Sequence, residues 1–389
     1  MSSSSIYLDH AATTPADPSV VKAMTPYFTG RFANANSIHQ PGREANVAVE
    51  EARQNIARFL NCEPAEIIFT SGGTESNNAA INGCLEAAPS REIITSAIEH
   101  HAVLTPAEQA ESRGARVHYL APDTNGEIRP EQVEEVISEQ TALVSLMLVN
   151  NEIGSINPIQ EISEICHAYG VPLHVDGVQA FGKIPVDVEE LGVDLLSISG
   201  HKLYGPKGIG VLYVCNGTPW EAWMLGGSQE RKRRGGTLNV PGIIGLSAAV
   251  DRARKQMDEE YGRIKGFRDT IISTLNEQLG ERVQINGSEK RGIPHILNLT
   301  VTDTNGRPYD GEMLLLNLDI SGVYLSSGSA CTSGAIEPSH VLTGLGLSKE
   351  MAHSSIRVSM GKDNTVEQIH TFTDTLIEVL DRMNAGVLK

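Results

Sequence analysis

The segment SISGHKLYGPKGIG at residues 197–210 decides the fold of this 389-residue chain. Its first residues complete an apolar run that predicts a buried β-strand, and glycines and polar residues follow directly. Gly200 and Gly205 have the spacing of a nucleotide-binding P-loop, but Pro206 stands where that motif requires lysine, which excludes an ATP site of this type. The segment therefore places Lys202 at the carboxyl edge of a sheet, where α/β proteins bind ligands.

Two interpretations of Lys202 are open from this segment alone. The first is an ordinary surface lysine on the loop that follows a strand. The second is a reactive amine, because a lysine beside a buried strand whose pKa is lowered can form a Schiff base with an aldehyde cofactor.

Apolar runs of the same kind recur through the first two thirds of the chain and predict further strands. They lie at residues 66–70, 92–97, 142–149, 171–176, 194–199 and 208–214. Helical patterns separate them, such as 158–169, which has Pro158 near its start and Gly170 just past its end. Continuous apolar runs between helices are typical of an α/β fold, so we predict that class, with a mostly parallel sheet in a large domain.

The pattern changes after a helical stretch at residues 243–279, in which we predict a break at Gly262 or Gly266. Separated strands and helices then follow, which predicts a smaller α+β domain. We place the domain boundary inside the helical stretch, near residue 255. The predicted ranges are 15–255 for the large domain and 1–14 with 256–389 for the small domain.

The composition excludes several classes of function. Lys and Arg number 31 against 48 Asp and Glu, and the net charge of −17 repels phosphate backbones, so we expect no direct nucleic-acid binding. We find no secretory signal and no apolar run of about eighteen residues, so we expect no membrane span. The five cysteines are odd in number and include no C-x-x-C pair, which favours a reduced, cytoplasmic protein without a disulfide framework or a metal site.

Polar groups that can serve a cofactor follow other predicted strands. Asp176 ends one strand, where an acid is a helix cap, a metal ligand or a partner for a pyridine nitrogen. The segment TSGGTESNN at 70–78 is either an ordinary capped turn or a cradle for an anion at a helix start. His100 and His101 are either structural or able to stack on a flat cofactor and move protons.

The segment SSGSACTSG at residues 326–334 carries Cys331 among small residues that bury little apolar surface. Gly328 and Gly334 bracket this cysteine with a permissive backbone. A buried structural cysteine would have large apolar neighbours, which disfavours that role for Cys331. We predict that residues 326–336 are poorly ordered or highly mobile.

Considered together, these segments resemble the cysteine desulfurases of the class V aminotransferase superfamily, which are fold type I enzymes of pyridoxal 5′-phosphate (PLP). The matching segments extend over nearly the whole chain: YLDHAATT at 7–14, TSGGTESNN, EHHAVL, VNNEIG at 149–154, HVDGVQA, SGHKLYGPKG, GGSQERKRRGGT at 226–237, SSGSACTSG and SSIRVSMG. The group with a long loop around its cysteine is the one that matches.

The resemblance implies an enzyme that converts L-cysteine to L-alanine. Lys202 would bind PLP covalently, His100 would stack on its ring and help in proton transfer, and Cys331 would receive the sulfur as a persulfide. The implied cofactor contacts are Asp176 to the pyridine nitrogen, Gln179 to the ring hydroxyl, Gly73, Thr74, Ser199 and His201 to the phosphate, and Thr237 from the second subunit of a homodimer. Asn151 and Arg357 would bind the substrate carboxylate, and an acceptor such as an iron–sulfur scaffold would take the sulfur.

Three positions depart from the family pattern, and two other functions stay open. Ser228 and Lys232 stand where the family commonly has glycine, and Ala35 stands where proline is common. One alternative is another PLP-dependent lyase or transaminase in which Cys331 is incidental. The other is a non-catalytic scaffold for iron–sulfur assembly, against which the intact Lys202 argues.

Overall fold

A seven-stranded sheet is the centre of the structure, a computed structural model that describes residues 5–327 and 338–386. Cys331, and most of the segment for which we predict high mobility, lie outside the described residues. The strands are β1 (Ile6–Tyr7), β2 (Ile67–Thr70), β3 (Glu92–Ser96), β4 (Arg116–Leu120), β5 (Thr141–Met147), β6 (Leu173–Asp176), β7 (Leu195–Ser199), β8 (Gly210–Val214), β9 (Val283–Asn286), β10 (Ile296–Val301), β11 (Val323–Tyr324) and β12 (Ser355–Ser359).

Helices cover the large sheet and the smaller sheets. They are α1 (Pro18–Met24), α2 (Pro26–Thr29), α3 (Gln40–Leu60), α4 (Gly73–Ala87), α5 (His101–Ser112), α6 (Pro130–Glu134), α7 (Ile159–Ala168), α8 (Val188–Leu191), α9 (Val240–Leu279), α10 (Gly311–Ile320), α11 (His340–Gly344), α12 (Lys349–His353) and α13 (Val366–Asn384). In the part of the chain that the structure describes, none of these helices is long and apolar enough to cross a membrane.

The large sheet has the strand order β2-β8-β7-β6-β5-β3-β4. Its strands are parallel except β8, which runs antiparallel to both β7 and β2. The prediction of an α/β fold with a mostly parallel sheet is confirmed. Strand β4 escaped prediction because it lies at the sheet edge, where Arg116 and Tyr119 are exposed and interrupt the apolar pattern.

The parallel strands end at one edge of this sheet. Their last residues are Thr70, Ser96, Leu120, Met147, Asp176 and Ser199, so the loops that follow them lie at the same edge. This edge is where ligands bind in open α/β sheets.

Two smaller sheets lie beyond the large one: β12-β10-β9, which is antiparallel, and the parallel pair β1-β11. Helix α9 connects the two parts, and its residues up to Ala253 belong to the core around the large sheet, whereas those from Ile264 belong to the core of the small sheets. The domain boundary near residue 255 stays a prediction.

The predicted break in the long helix is wrong, because α9 is one helix of 40 residues. Gly262 and Gly266 both face open space, so no neighbouring group forces a kink there. A glycine inside a helix costs only about 1 kcal/mol, which the packing of the two helix ends against their cores exceeds.

Candidate active site

A cavity of about 400 Å³ lies at the carboxyl edge of the large sheet. Most of the predicted site residues line it, namely Gly73, Thr74, His100, Asn151, Asp176, Gln179, Ser199, His201, Lys202 and Arg357. Its volume suits a cofactor-sized ligand. Thr237 is exposed and does not line the cavity of its own chain, and Cys331 lies outside the described residues.

Lys202 lies in a short 3₁₀ turn, Gly200–Lys202, directly after β7. Its Nζ donates to the carbonyl oxygens of Ala11 at 2.5 Å and Ala12 at 2.7 Å. Among the described residues, no carboxylate lies within ion-pair distance of this amine. Burial, and then the positive charge of Arg357, lower the pKa of Lys202 to about 8, so the neutral and nucleophilic form is far more populated than in an ordinary lysine.

Asp176 is a buried acid whose orientation is fixed at the end of β6. Its Oδ2 accepts from Asn77 Nδ2 at 2.7 Å, and its Oδ1 accepts from the backbone N–H of Val178 at 2.9 Å. No ion pair involves Asp176 within residues 5–327 and 338–386. A buried carboxylate with neutral partners can take a cationic partner from the cavity, such as a protonated ring nitrogen.

The first residues of α4, Gly73 and Thr74, line the cavity at the place where the sequence predicts an anion cradle as one option. The first N–H groups of a helix have no intrahelical partner and attract negative charge. The glycines here allow close packing, because a Cβ on Gly73 would lie 2.7 Å from Val178 Cγ2 and a Cβ on Gly210 would lie 2.7 Å from the Gly72 Cα. The loop before α4 can therefore lie directly against β8.

Ser199 and His201 lie on the other side of this cradle. His201 Nδ1 is 3.1 Å from Thr13 Oγ1. Burial, with Lys202 as the next contribution, lowers the pKa of His201 to about 4, so the imidazole is neutral at pH 7. It can then offer one ring N–H as a neutral hydrogen-bond donor.

His100 precedes α5 and caps that helix. Its Nδ1 accepts from the backbone N–H of Ala102 at 3.0 Å, so the proton of the neutral ring is on Nε2. Burial is the main cause that lowers the pKa of His100. The neutral ring lines the cavity, as expected of a group that stacks on a flat cofactor.

Arg357 is on β12, and its guanidinium extends into the cavity from the side of the small sheet. Its Nη1 donates to the Asn151 carbonyl oxygen at 3.0 Å, and its Nη2 donates to Asp9 Oδ1 and to Ser326 Oγ, both at 2.9 Å. Within the described residues, the buried Nε of Arg357 has no hydrogen-bond partner. Arg357 thus brings a permanent positive charge to the wall of the cavity, where it can attract an anionic ligand.

The sequence alone did not identify several residues of the site. Asp9 and Asn77 lie inside the quoted segments, and their contacts with Arg357 and Asp176 depend on the fold. Glu152 is buried and accepts from Ser339 Oγ at 2.5 Å. His340 Nε2 is 2.8 Å from the Glu99 carbonyl oxygen and its ring lines the cavity. These side chains carried no motif signal of their own, because the residues that they contact are distant in sequence.

The cavity fits PLP at three separate points. An amine with only carbonyl partners, a buried acid with only neutral partners and a helix start without a side-chain cap line the same space. They match the aldehyde, the pyridine nitrogen and the phosphate of that cofactor. Over the described residues there is no cluster of three or more His, Cys, Asp or Glu side chains that could hold a metal ion.

Known proteins resemble this chain over nearly its full length. The family described as aminotransferase class-V matches residues 6–372. A cysteine desulfurase IscS of Dictyoglomus turgidum is 44% identical over 380 residues, which cover 97% of this chain and 95% of the relative. A putative cysteine desulfurase IscS 1 of Bacillus subtilis is 45% identical over 381 residues, which cover 97% and 99%.

Solved structures agree with these relatives. A NifS-like protein superposes with a TM-score of 0.89 at 35% identity and covers 97% of this chain and 99% of that chain. SspA in complex with cysteine superposes with a TM-score of 0.80 at 36% identity and covers 91% of this chain and 98% of that chain.

Proposed function

Since this chain belongs to the class V aminotransferase family, we propose that it is a PLP-dependent cysteine desulfurase with the type I fold of PLP enzymes. The observation that carries the proposal is the cavity that Lys202 and Asp176 share. PLP supplies an aldehyde for the substrate amine and a ring that accepts the electron pair left when the Cα proton departs.

The residues of the cavity would divide the binding of PLP among them. Lys202 would hold the aldehyde carbon and, once released, move the Cα proton. Asp176 would keep a proton on the pyridine nitrogen, Gln179 would bind the ring hydroxyl, and His100 would cover the ring. The phosphate would be held by Gly73, Thr74, Ser199 and His201.

Arg357 and Asn151 would bind the carboxylate of L-cysteine. The proposal is supported by the position of Arg357, whose charged guanidinium lines the cavity. Guanidinium groups bind carboxylates with two parallel hydrogen bonds, so this contact would also fix the orientation of the substrate.

The sulfur would leave the substrate through Cys331. Its thiolate would form an S–S bond with the substrate sulfur while the Cβ–S bond breaks, and the electron pair of that bond would pass to carbon, which takes a proton and becomes the methyl group of alanine. The persulfide on Cys331 would then pass to a cytoplasmic acceptor protein, such as an iron–sulfur scaffold. Cys331 is not among the described residues, so the support for this assignment is the sequence segment SSGSACTSG alone.

We also propose a homodimer in which Thr237 of each chain serves the phosphate site of the other. Large apolar side chains are exposed on this chain, including Phe32 at 74%, Ile38 at 90% and Leu225 at 81%. Such side chains favour burial against a second copy. Thr237 itself is exposed and does not line the cavity of its own chain.

The test is product analysis with the PLP-loaded protein. With L-cysteine and a thiol reductant we expect equal amounts of alanine and sulfide, and 3-mercaptopyruvate in place of alanine would instead indicate a transaminase. Without reductant, peptide mass spectrometry should find the persulfide on Cys331. Cys331→Ser should bind PLP but yield no persulfide, whereas the control Cys215→Ser should behave as the parent. A persulfide on Cys62, Cys84, Cys166 or Cys215, with Cys331 unmodified, would contradict the assignment.

A further inference from the structure

A second lysine, Lys183, is buried behind the cavity. It is 8% exposed and follows β6 in a turn that brings its Nζ to 2.6 Å from Gln179 Oε1. No carboxylate of the described residues lies within ion-pair distance of this amine. Burial is the main cause that lowers the pKa of Lys183 to about 7, and the charges of Lys202 and Arg357 add to it.

Within the described residues, the acid that lines a small cavity with Lys183 is Glu260, and it pairs with Arg252 and not with this lysine. His10 and His295 line a small cavity with it, and burial lowers their pKa values to about 4 and about 3, so both rings are neutral. A buried lysine is ordinarily paired with an acid, and a methionine of similar length would fill the same space at lower cost. Packing alone therefore does not explain why a lysine occupies this position.

The contact with Lys183 fixes the amide of Gln179. Gln179 Nε2 donates to the Ala11 carbonyl oxygen at 2.9 Å, and the same oxygen accepts from Lys202 Nζ at 2.5 Å. A flipped amide would place two donors together at Lys183 and two acceptors together at Ala11. Gln179 lines the cavity, so the second hydrogen of its NH₂ group is left for a ligand there.

We propose that Lys183 is a positioning residue for the cofactor: it fixes and polarises the amide of Gln179 so that this amide donates to the ring hydroxyl oxygen of PLP. Donation to the amide oxygen makes the N–H a stronger donor, because linked hydrogen bonds polarise one another. The inference rests on the proposed function, since it assumes that PLP occupies the cavity.

The experiment compares Lys183→Met, Gln179→Leu and the double variant, with exposed Lys22→Met as the matched control. The dissociation constant of PLP is measured by absorbance titration of each apoprotein, together with its thermal midpoint. Each single variant should bind PLP about tenfold more weakly, as the loss of one strong hydrogen bond predicts. The double variant should bind no more weakly than Gln179→Leu, and Lys22→Met should match the parent.

Two results would overturn the inference: additive losses in the double variant, or parental affinity in Lys183→Met. If Lys183→Met does not fold, Gln179→Glu decides, because it places a carboxylate beside Lys183 and removes the N–H. Its apoprotein should bind PLP more weakly than the parent, and parental affinity would contradict the donor role of the amide that Lys183 fixes. If the parent itself binds no PLP, the proposed function fails, which is a different outcome from parental affinity in the variants.

Discussion

Arg357 Nη2 lies 2.9 Å from Asp9 Oδ1, so the guanidinium proposed to bind the substrate carboxylate already has an acidic partner. The pair is largely shielded from water, with 5% of the Arg357 side chain and 20% of the Asp9 side chain exposed. Ser326 joins it, because its Oγ donates to Asp9 Oδ1 at 3.1 Å and accepts from Arg357 Nη2 at 2.9 Å. A substrate carboxylate would therefore share Arg357 with Asp9 and be repelled by it.

The first prediction follows from this sharing. Asp9→Asn should lower the KM for L-cysteine about fivefold. In a partly shielded site, repulsion between the Asp9 and substrate carboxylates weakens substrate binding by on the order of 1 kcal/mol. The same variant should lower the unfolding free energy of the apoprotein by about 1–3 kcal/mol, since Arg357 would stay buried without a counter-charge. Steady-state kinetics and thermal unfolding measure the two effects.

Asp17→Asn is the matched control for this prediction. Asp17 Oδ2 pairs with Arg252 and Lys362, each at 3.4 Å, away from the cavity. Its loss should lower stability and leave the KM unchanged. A KM for Asp9→Asn equal to or above that of the parent would show that Asp9 does not oppose the substrate.

The second prediction concerns Arg357 itself. Arg357→Lys should raise the KM for L-cysteine at least about tenfold with a smaller change in kcat. The reason is that an ammonium group cannot form the two parallel hydrogen bonds that a guanidinium forms with a carboxylate. Arg268 is a suitable control, since it is also buried and its Nη1 donates to the Glu289 carbonyl oxygen outside the cavity. Arg268→Lys should affect stability alone, and parental kinetics of Arg357→Lys would refute its role in binding.

The sequence predicted the groups that follow the parallel strands, and the reason is physical. Strands of one direction place their carboxyl ends at one edge, so Lys202, Asp176 and His100 could be expected to meet before any contact was known. Asp9 and Lys183 were missed because their contacts depend on how the first strand and the turn after β6 fold back. Helix α9 continues through Gly262 and Gly266, so a glycine in a helical pattern does not by itself predict a helix end. The contacts around the helix decide whether it breaks there.

The third prediction concerns a loop where this chain departs from the family pattern. Glu230, Arg231 and Lys232 have φ values of 46°, 57° and 66°, a left-handed conformation that costs a non-glycine residue about 1–2 kcal/mol. Glycine removes this cost but gives up about 0.4–1 kcal/mol through the greater freedom of the unfolded chain. Lys232→Gly should therefore stabilise the protein by about 0.5–1 kcal/mol in thermal or denaturant unfolding.

The control for Lys232→Gly is the same substitution in a helix. Lys255→Gly lies inside α9 and should destabilise by about 1 kcal/mol. Glu230 should be left intact, because its carboxylate pairs with Arg53 at 2.7 Å and anchors the loop. A loss of stability in Lys232→Gly would mean that the lysine side chain contributes more than its backbone conformation costs.

The last prediction concerns the pH at which Lys202 becomes reactive. Only the neutral amine attacks an aldehyde, and because the pKa of Lys202 is lowered to about 8, the neutral fraction rises as the pH increases through about 8 and then levels off. The rate of covalent PLP capture by the apoprotein, followed by absorbance, should show this midpoint. With an ordinary lysine, the rate would keep rising up to about pH 10.5. Asp9 raises the pKa of Lys202, so Asp9→Asn should move the midpoint to lower pH. The ionisation of PLP itself cancels in that comparison, and Lys202→Ala should remain folded while it captures no PLP and turns over no cysteine. A midpoint near 10.5, or no difference between the parent and Asp9→Asn, would refute the lowered pKa and its electrostatic origin.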